Sequence, residues 1–464
     1  MKKSILIKNG TIVDPKANNV FHGDIRIEGA LIASVAKSIA PRKSDRLIDA
    51  AGNLVMPGLV DIHVHISHCP DGHQMLAKAG VTSTLDVSGM PNDMLGGFAK
   101  AACGLSVAFL YPLIPGSTIN GKNPSKNELR KAFDYALNNG ALGVKIAGGH
   151  YPLTPQATQA AIEIAREKRA WIAVHAGSTE TPSDICGFEE LVQLAGSNPV
   201  QLVHVNSFCR GTVEDPLKEA VRALDSIKSV PNCRSESYLA TINGTSGALA
   251  PDGIPKSGVT RRCLTQGGFP MNLEGMKKAI LVGWAKVHHH DIEKREIILL
   301  DPEDGLKSYL KNKTNVMQSF PVNSPVSAIP IALAKNEKGS FVVDALATDG
   351  GAIPRNVTLK QGLCLVAYGA LTLPEFARKA CMIPASIMGL SNKGHLSPGA
   401  FADIIIVDQD AASLKLSISE GQVIVKNGKV IGKGGQFIST ERANEFLKGN
   451  SLTPVNVTPK WLKH

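Results

Sequence analysis

Between Pro57 and Leu396, apolar runs rich in β-branched residues alternate with Ala-rich stretches of helical character. Such an alternation is typical of βα units, which build a parallel sheet with helices on its faces. Eight units in series favour a TIM (β/α)8 barrel of the α/β class over an open, doubly wound sheet. The predicted strands are residues 58–65, 80–87, 105–111, 142–146, 171–175, 200–205, 230–238 and 341–349.

The two ends of the chain follow another pattern. Short β-branched runs separated by turns, such as Asn9-Gly10 and Asn427-Gly428, predict antiparallel strands. Because neither end is long enough to close a core, we predict that residues 1–57 and 396–464 pair in one discontinuous small β-sandwich domain, with a tail of partial order after about residue 434. Residues 58–395 would form the barrel domain. Within it, residues 240–339 exceed a simple connection and predict an insertion that serves as a lid or an interface.

Composition narrows the class of partner. Although 50 Lys and Arg against 40 Asp and Glu give a net charge of +10, the basic residues are scattered, and only 5% of residues are aromatic. These features disfavour a nucleic-acid partner and favour a small-molecule substrate. The apolar run near the first residue is too short for a signal peptide and no long apolar stretch follows, so no membrane association is expected. Eight scattered cysteines are consistent with a reducing, cytoplasmic location.

The chemically informative residues stand where the predicted strands end. Taken singly, each favours a structural role, because a lysine can pair with a carboxylate, a histidine can hydrogen-bond and an aspartate can cap a helix. Six of them at the carboxyl ends of strands of one barrel would, however, meet at its catalytic face. Imidazoles and carboxylates bind divalent metals, and a buried lysine amine can react with CO2 to give a carbamate that bridges two ions. The six residues are His63, His65, Lys145, His175, His204 and Asp349.

The order of these residues along the chain resembles that of the amidohydrolase superfamily. Residues 53–65, NLVMPGLVDIHVH, are similar to that family's entry into the barrel, and residues 393–404, KGHLSPGAFADI, to its return to the β domain. In having a lysine on the fourth strand, the sequence resembles one branch of this superfamily. That branch contains dihydroorotases, hydantoinases, allantoinases, isoaspartyl dipeptidases and N-acyl-D-amino-acid deacylases. The run Thr348-Asp349-Gly350-Gly351 is more similar to the dipeptidase and deacylase versions.

The resemblance implies two divalent metal ions, zinc by default and manganese as the alternative, that share a bridging hydroxide. It also implies hydrolysis of a carbon–nitrogen amide bond, either in a cyclic amide or in an N-acyl or isopeptide derivative of an amino acid, by a homo-oligomeric enzyme. The implied ligands are His63, His65 and Asp349 for the buried ion, His175 and His204 for the outer ion, and a carbamate on Lys145 as the bridge.

Further roles follow from the same resemblance. Asp349 would act as general base and then as general acid. His150 and Tyr151, shortly after Lys145, are candidates to stabilise the developing oxyanion. Arg210 and Arg234, near the sixth and seventh strands, are candidates to bind a substrate carboxylate.

Two other functions stay open. A deaminase of a nucleobase-like ring in the same superfamily is less consistent with the sequence, because mononuclear deaminases lack the bridging lysine. They also place an acid near the histidine of strand five or six, whereas Ala176-Gly177-Ser178 follow His175 here. A non-catalytic, hydantoinase-like scaffold would have lost metal ligands, whereas all six candidates are present.

Overall fold

The structure, a computed structural model, describes residues 4–463. Within this range parallel strands alternate with helices, and antiparallel strands occur near both ends and in one internal segment. The strands are β1 (Ser4–Asp14), β2 (Asn19–Glu28), β3 (Leu31–Ala36), β4 (Asp45–Asp49), β5 (Leu54–Pro57), β6 (Leu59–His65), β7 (Val81–Asp86), β8 (Cys103–Phe109), β9 (Tyr111–Leu113), β10 (Gly143–Ala147), β11 (Trp171–His175), β12 (Gln201–Leu202), β13 (Arg234–Ser237), β14 (Asn243–Ser246), β15 (Lys286–Asp291), β16 (Glu296–Leu299), β17 (Met317–Phe320), β18 (Ala345–Leu346), β19 (Gly350–Gly351), β20 (Ile404–Asp408), β21 (Ser413–Ser419), β22 (Gln422–Lys426), β23 (Lys429–Val430), β24 (Gly434–Ser439) and β25 (Val455–Asn456). The helices are α1 (Gly72–Lys78), α2 (Pro91–Ala101), α3 (Lys126–Asn138), α4 (Pro155–Lys168), α5 (Ile185–Ala195), α6 (Pro216–Lys228), α7 (Gly258–Gln266), α8 (Leu273–Leu281), α9 (Pro302–Lys311), α10 (Pro325–Leu333), α11 (Thr358–Ala367), α12 (Leu373–Ala377), α13 (Ile383–Ile387) and α14 (Asn444–Gly449).

Two parallel sheets form the centre of the molecule. One has the strand order β18-β13-β12-β11-β10-β9, and the other has the order β19-β6-β7-β8-β24-β25. The sheets are joined by short links of chain, because Leu110 alone separates β8 from β9 and residues 347–349 separate β18 from β19. The predicted mixed α/β class is confirmed, and each predicted strand overlaps a strand of these sheets in the predicted order.

The helices that follow these strands begin at capping residues. Thr154, Asp184 and Asp215 each accept a hydrogen bond from the first turn of α4, α5 and α6. A proline at the first position of α4 and of α6 has no N–H that the helix would leave unpaired. The caps therefore fix where each loop after a parallel strand ends, and those loops surround the candidate site.

Strands from both ends of the chain pair in one sheet that is antiparallel except where β1 runs parallel to β4 and β5. The strand β20 pairs with β5, and β1 pairs with β2 on one side and with β4 and β5 on the other. The sheet branches at β1 for this reason. Its buried face is rich in isoleucine, including Ile12, Ile25 and Ile404.

Residues after position 434 do not form the partly ordered tail that the sequence predicts. Instead, β24 pairs in parallel with β8 and so extends a central sheet. Further on, the buried indole of Trp461 packs edge-on against Trp171, with ring centroids 5.3 Å apart, and donates a hydrogen bond to Ile387 O. The prediction was wrong because the short apolar run at Phe437 and Ile438, preceded by two glycines, resembles a loop more than a buried strand.

The predicted insertion has its own antiparallel sheet, β14-β17-β15-β16, and its own apolar core around Met276, Tyr309 and Phe320. It is shorter than the predicted 240–339, because α10 packs against α6 beside the parallel sheets. Its far side contacts the loop after β6, where Asp71 accepts hydrogen bonds from His290 and Arg295. The insertion therefore reaches from the end of β13 to the loop after β6.

Among the helices of residues 4–463, none combines the length and the apolar character needed to span a bilayer. Within residues 4–463 the eight cysteines form no disulfide, and five of them are buried.

Candidate metal centre

Two histidines and one aspartate meet where β6 and β19 run side by side. His63 and His65 lie two residues apart on β6, and therefore on the same face of the strand. The Nε2 atoms of His63 and His65 lie 3.3 and 3.1 Å from Asp349 Oδ1. One ligand atom from each of the three residues falls within 4.8 Å of the other two, a spacing compatible with a shared metal ion.

Two more imidazoles continue this cluster. The ring centroids of His63 and His204 are 5.1 Å apart, and those of His204 and His175 are 4.5 Å apart. Burial lowers the pKa of His63, His175 and His204 well below the usual value for histidine. The rings are therefore neutral near pH 7, and each has a nitrogen lone pair available to a metal.

Lys145 lies on β10 beside these rings. Its neighbour on β11 is Ala173, two residues before His175, so both side chains lie on the same face of the sheet. The residue is buried, and within residues 4–463 its Nζ has no hydrogen-bond partner. Burial lowers the pKa of Lys145, although Glu236 and Asp349 act in the opposite direction. A buried amine in this state is nucleophilic and unsatisfied.

Asp349 is held by groups that the sequence did not single out. Arg355 Nη2 lies 2.7 Å from Asp349 Oδ2, and the Arg355 side chain is almost fully buried. Thr348 donates hydrogen bonds from its N–H and its hydroxyl to Asp61, which fixes the backbone next to Asp349. Burial raises the pKa of Asp349, but Arg355 and His63 outweigh this effect, and the pKa falls well below the usual range. The carboxylate is therefore ionised and fixed in position.

Glu236 was also missed. It lies on β13, is fully buried, and its Oε1 is 2.6 Å from His63 Nδ1 and 2.8 Å from the N–H of His204. Burial raises the pKa of this carboxyl group to about 8, although the hydrogen bond from the His204 N–H acts in the opposite direction. Strand alternation did not mark it, since Ser235, Glu236 and Ser237 are all buried. The serines on either side of Glu236 hid the strand, because they break its apolar run.

The two proposed oxyanion donors, His150 and Tyr151, lie at the rim of the cluster. The ring of His150 packs edge-on against His175, with centroids 5.4 Å apart. The next residue, Tyr151, is 48% exposed to solvent. The structure therefore brings His150 to the cluster and leaves Tyr151 on the open side of the same loop.

The two arginines proposed to bind substrate have different positions. Arg210 donates to Asn323 Oδ1 at 2.9 Å and to the hydroxyl of Tyr238 at 3.4 Å, on the side of the site that faces the insertion. Arg234 is the first residue of β13 and lies over the ring of Trp461 at 6.0 Å, at the opposite end of the strand from the cluster. Arg234 is therefore not brought to the cluster, because the amino and carboxyl ends of parallel strands lie at opposite edges of the sheet.

Comparisons with known proteins agree with this geometry. The family model described as "Amidohydrolase family" matches residues 273–434. Dihydroorotase from Geobacter metallireducens is 24% identical over 441 residues, which cover 88% of this chain and 90% of that protein. Dihydroorotase from Streptococcus thermophilus is 30% identical over 205 residues, 40% of this chain and 45% of that protein.

Solved structures show the same fold at low sequence identity. A D-aminoacylase structure described by its binuclear metal center has a TM-score of 0.65 at 15% identity and covers 95% of this chain and 100% of its own. D-hydantoinase from Thermus sp. has a TM-score of 0.57 at 16% identity and covers 98% of this chain and 100% of its own. Taken with the sequence matches, these similarities support the amidohydrolase superfamily for this chain, and with it a hydrolase that acts on carbon–nitrogen bonds other than ordinary peptide bonds.

Proposed function

We propose that this chain is a binuclear amidohydrolase that cleaves the amide bond of a cyclic amide or of an N-acyl or isopeptide derivative of an amino acid. The observation that carries the proposal is the convergence of four imidazoles, the Asp349 carboxylate and an unpartnered Lys145 amine in one cluster. The dihydroorotase relatives support a small, ring-shaped or acyl-amino substrate.

The two central sheets support a finer description of the fold. We propose that they are two halves of one closed (β/α)8 barrel, because β8 with β9 and β18 with β19 each continue from one sheet into the other. Backbone bonds from Leu142 N to Phe109 O and from Ala347 N to Ser237 O, each 2.9 Å long, lie at these joints. In this proposal residues 58–395 are the barrel domain, and residues 1–57 with the residues from 396 to about 433 form the small β domain.

The donor set fits a pair of divalent metals. His63, His65 and Asp349 would hold one ion through two nitrogens and one oxygen, the ligands that zinc commonly takes in hydrolases. His175 and His204 would hold the other. The unsatisfied amine of Lys145 fits a carbamate formed with CO2, which would supply two further oxygen ligands. Zinc is the proposed metal, and manganese is the alternative.

When bound, the ions supply an activated water near neutral pH and polarise the scissile carbonyl. Asp349 Oδ1, which faces His63 and His65, accepts a proton in this proposal and returns it to the leaving nitrogen. Arg355 keeps the carboxylate in place through Oδ2. His150 at the rim is the proposed donor to the developing negative charge on the carbonyl oxygen, with Tyr151 as the alternative on the same loop.

Arg210 is the proposed substrate anchor. Its guanidinium is held by Asn323 and Tyr238, and within residues 4–463 it forms no ion pair with a carboxylate. A guanidinium in this state can bind a carboxylate of the substrate in a bidentate manner. An amino-acid derivative with a free carboxylate is therefore the substrate class that we propose first.

Metal analysis and a substrate screen test the proposal together. We expect two ions per chain and turnover of at least one of dihydroorotate, hydantoins, dihydropyrimidines, N-acyl-D-amino acids or β-aspartyl dipeptides. One ion per chain with release of ammonia from an amino-substituted ring would instead support the deaminase. Metal-free protein without turnover of any of these compounds would contradict the proposal and favour the scaffold.

Two further properties are proposed from the sequence alone. We propose a homo-oligomeric state and a cytoplasmic location. Size-exclusion chromatography with light scattering tests the oligomeric state, and fractionation of cells tests the location. A monomer in the first measurement, or recovery with the membrane or secreted fraction in the second, would contradict them.

A further inference from the structure

Glu236 is a buried carboxylate with a specific set of contacts. One oxygen, Oε1, lies 2.6 Å from His63 Nδ1 and accepts a hydrogen bond from the backbone N–H of His204 at 2.8 Å. The other oxygen, Oε2, has no hydrogen-bond partner within the described residues. Burying a carboxylate is costly, so a fully buried, half-satisfied glutamate on a central strand is unexpected unless it serves the cluster beside it.

The contact with His63 selects one form of the imidazole. With Nδ1 donating to the carboxylate, the lone pair belongs to Nε2, the atom 3.3 Å from Asp349 Oδ1. A cation on the Nε2 side favours the ionised carboxylate, because it is a large local positive charge. A carboxylate that orients a metal-binding imidazole in this way also makes the ring a stronger ligand.

The contact with His204 acts on the backbone. His204 has φ 33° and ψ 55°, in the left-handed region that residues other than glycine rarely adopt. Accepting its N–H holds the chain in this conformation at the turn after β12. The Ser207 hydroxyl lies 2.6 Å from Nδ1 of the same ring, which leaves Nε2 of His204 available as well.

We infer that Glu236 is a positioning residue that orients His63 and His204 together, one imidazole from each proposed metal position, and that its charge strengthens the binding of divalent metal. This inference rests on the proposed function. Glu236 lies on the seventh parallel strand, and the predicted ligand set contains no residue from that strand. Because a single oxygen makes both contacts, the two metal positions are coupled through one side chain.

The variant Glu236→Gln tests the inference in the full-length protein. It keeps the shape of the side chain and an oxygen that can accept both hydrogen bonds, but it removes the charge. We expect the apparent dissociation constant for zinc, measured by competition with a chromophoric chelator, to rise about 10–100-fold. We expect kcat to fall with little change in KM.

A matched control is Asp24→Asn in the antiparallel sheet. Asp24 is also buried, and it accepts backbone N–H groups of Asn9 and Ile39. We expect this variant to lose stability and to bind zinc as the unmodified protein does. If Glu236→Gln binds zinc with the unmodified dissociation constant, the inference is wrong. If the unmodified protein binds no divalent metal, the proposed function itself fails.

A measurement on the unmodified protein covers the case in which Glu236→Gln does not fold. Nitrogen NMR of histidine-labelled, zinc-loaded protein reports which ring nitrogen carries the proton. We expect the resonance that is lost in His63→Gln to show the proton on Nδ1. Finding it on Nε2 would overturn the inference independently of the variant.

Discussion

Lys145 and Lys393 are both buried, yet their amines differ in hydrogen-bond partners and in the direction of their pKa shifts. Lys393 Nζ, at the junction of the antiparallel sheet and β8, donates to Asp403 at 2.7 Å, Glu420 at 2.8 Å and Ser106 at 3.2 Å. Burial lowers its pKa, but the two carboxylates outweigh burial, so the pKa rises. At the cluster, Lys145 has no such partners and its pKa is lowered. Burial therefore does not distinguish a structural lysine from a chemical one, whereas the partners of Nζ do.

A third lysine lies between these two extremes. Lys379 is fully buried, and burial lowers its pKa to about 7. Its Nζ nevertheless donates to Val343 O at 2.5 Å and lies over the ring of Phe341 at 4.2 Å. Lys145 and Lys379 thus share a lowered pKa, but of the two only Lys145 has an Nζ without a hydrogen-bond partner within residues 4–463. If the free amine decides reactivity, Lys145 alone of the three reacts with CO2.

The largest effect is expected at Lys145. Replacing it with Met should lower kcat/KM by ~10,000-fold or more, about 5.5 kcal/mol, because the bridge between the two metal positions is lost. Metal content per chain should fall, and carbon NMR of metal-loaded protein in isotope-labelled bicarbonate should lose its carbamate signal. Unchanged turnover and metal content would remove Lys145 from the site.

Lys393→Met should affect stability and leave the site intact. The substitution leaves Asp403 and Glu420 buried without their cation, so we expect the free energy of unfolding to fall by about 3–5 kcal/mol. Urea denaturation measures this loss. Zinc affinity and the carbamate signal should match those of the unmodified protein at a temperature where the variant is folded. A selective loss of zinc binding would contradict the view that Lys393 is structural and that, of these two lysines, only Lys145 belongs to the site.

The antiparallel sheet also holds a carboxylate whose partners make stability depend on pH. Hydrogen bonds from Arg26 and Ser4 lower the pKa of Asp45 from 3.8 to about 2. The stabilising contribution is therefore present above pH 3.8 and is lost as the pH falls towards 2. Allowing for its position near the surface, we expect about 1 kcal/mol. Asp45→Asn should remove this part of the acid dependence when urea midpoints are compared across that range. An unchanged acid dependence would contradict the assignment.

The smallest effect is expected for Lys379→Met. The variant loses one hydrogen bond and keeps an unbranched chain of similar length in the same apolar surroundings, so stability should change by about 1 kcal/mol or less. Zinc content, turnover and the carbamate signal should all persist. Loss of the carbamate signal here would show that a lowered pKa, rather than a free Nζ, marks the reactive amine.

Most residues of the site could be predicted from the sequence because they lie at the ends of recognisable strands. An apolar run contains or precedes each of His63, His65, Lys145 and His175, so their position near a strand end was visible. The position of Glu236 in a buried strand was not visible, because β13 has the sequence Arg-Ser-Glu-Ser and contains no apolar residue. The same weak pattern did not reveal that the strand begins at Arg234.

Other features depended on contacts that no local pattern records. Arg355 lies in a loop, and only the folded chain brings it to Asp349. The strand β24 has two buried apolar residues, Phe437 and Ile438, and its partner β8 is far away in the sequence. The insertion was detected by its length, whereas its sheet and its separate core follow from pairing among short strands with mixed composition.

The pairing of β24 with β8 also ties folding to the order of synthesis. A ribosome that has finished residues 1–430 has already released β6, β7 and β8, but not the strand that covers the free flank of β8. Until then the edge of β8 is open to other chains, and Phe109 lacks the Phe437 ring that packs 6.0 Å from it. This half of the protein is therefore completed only once residues 434–439 have emerged, and until then its open edge favours association with other chains.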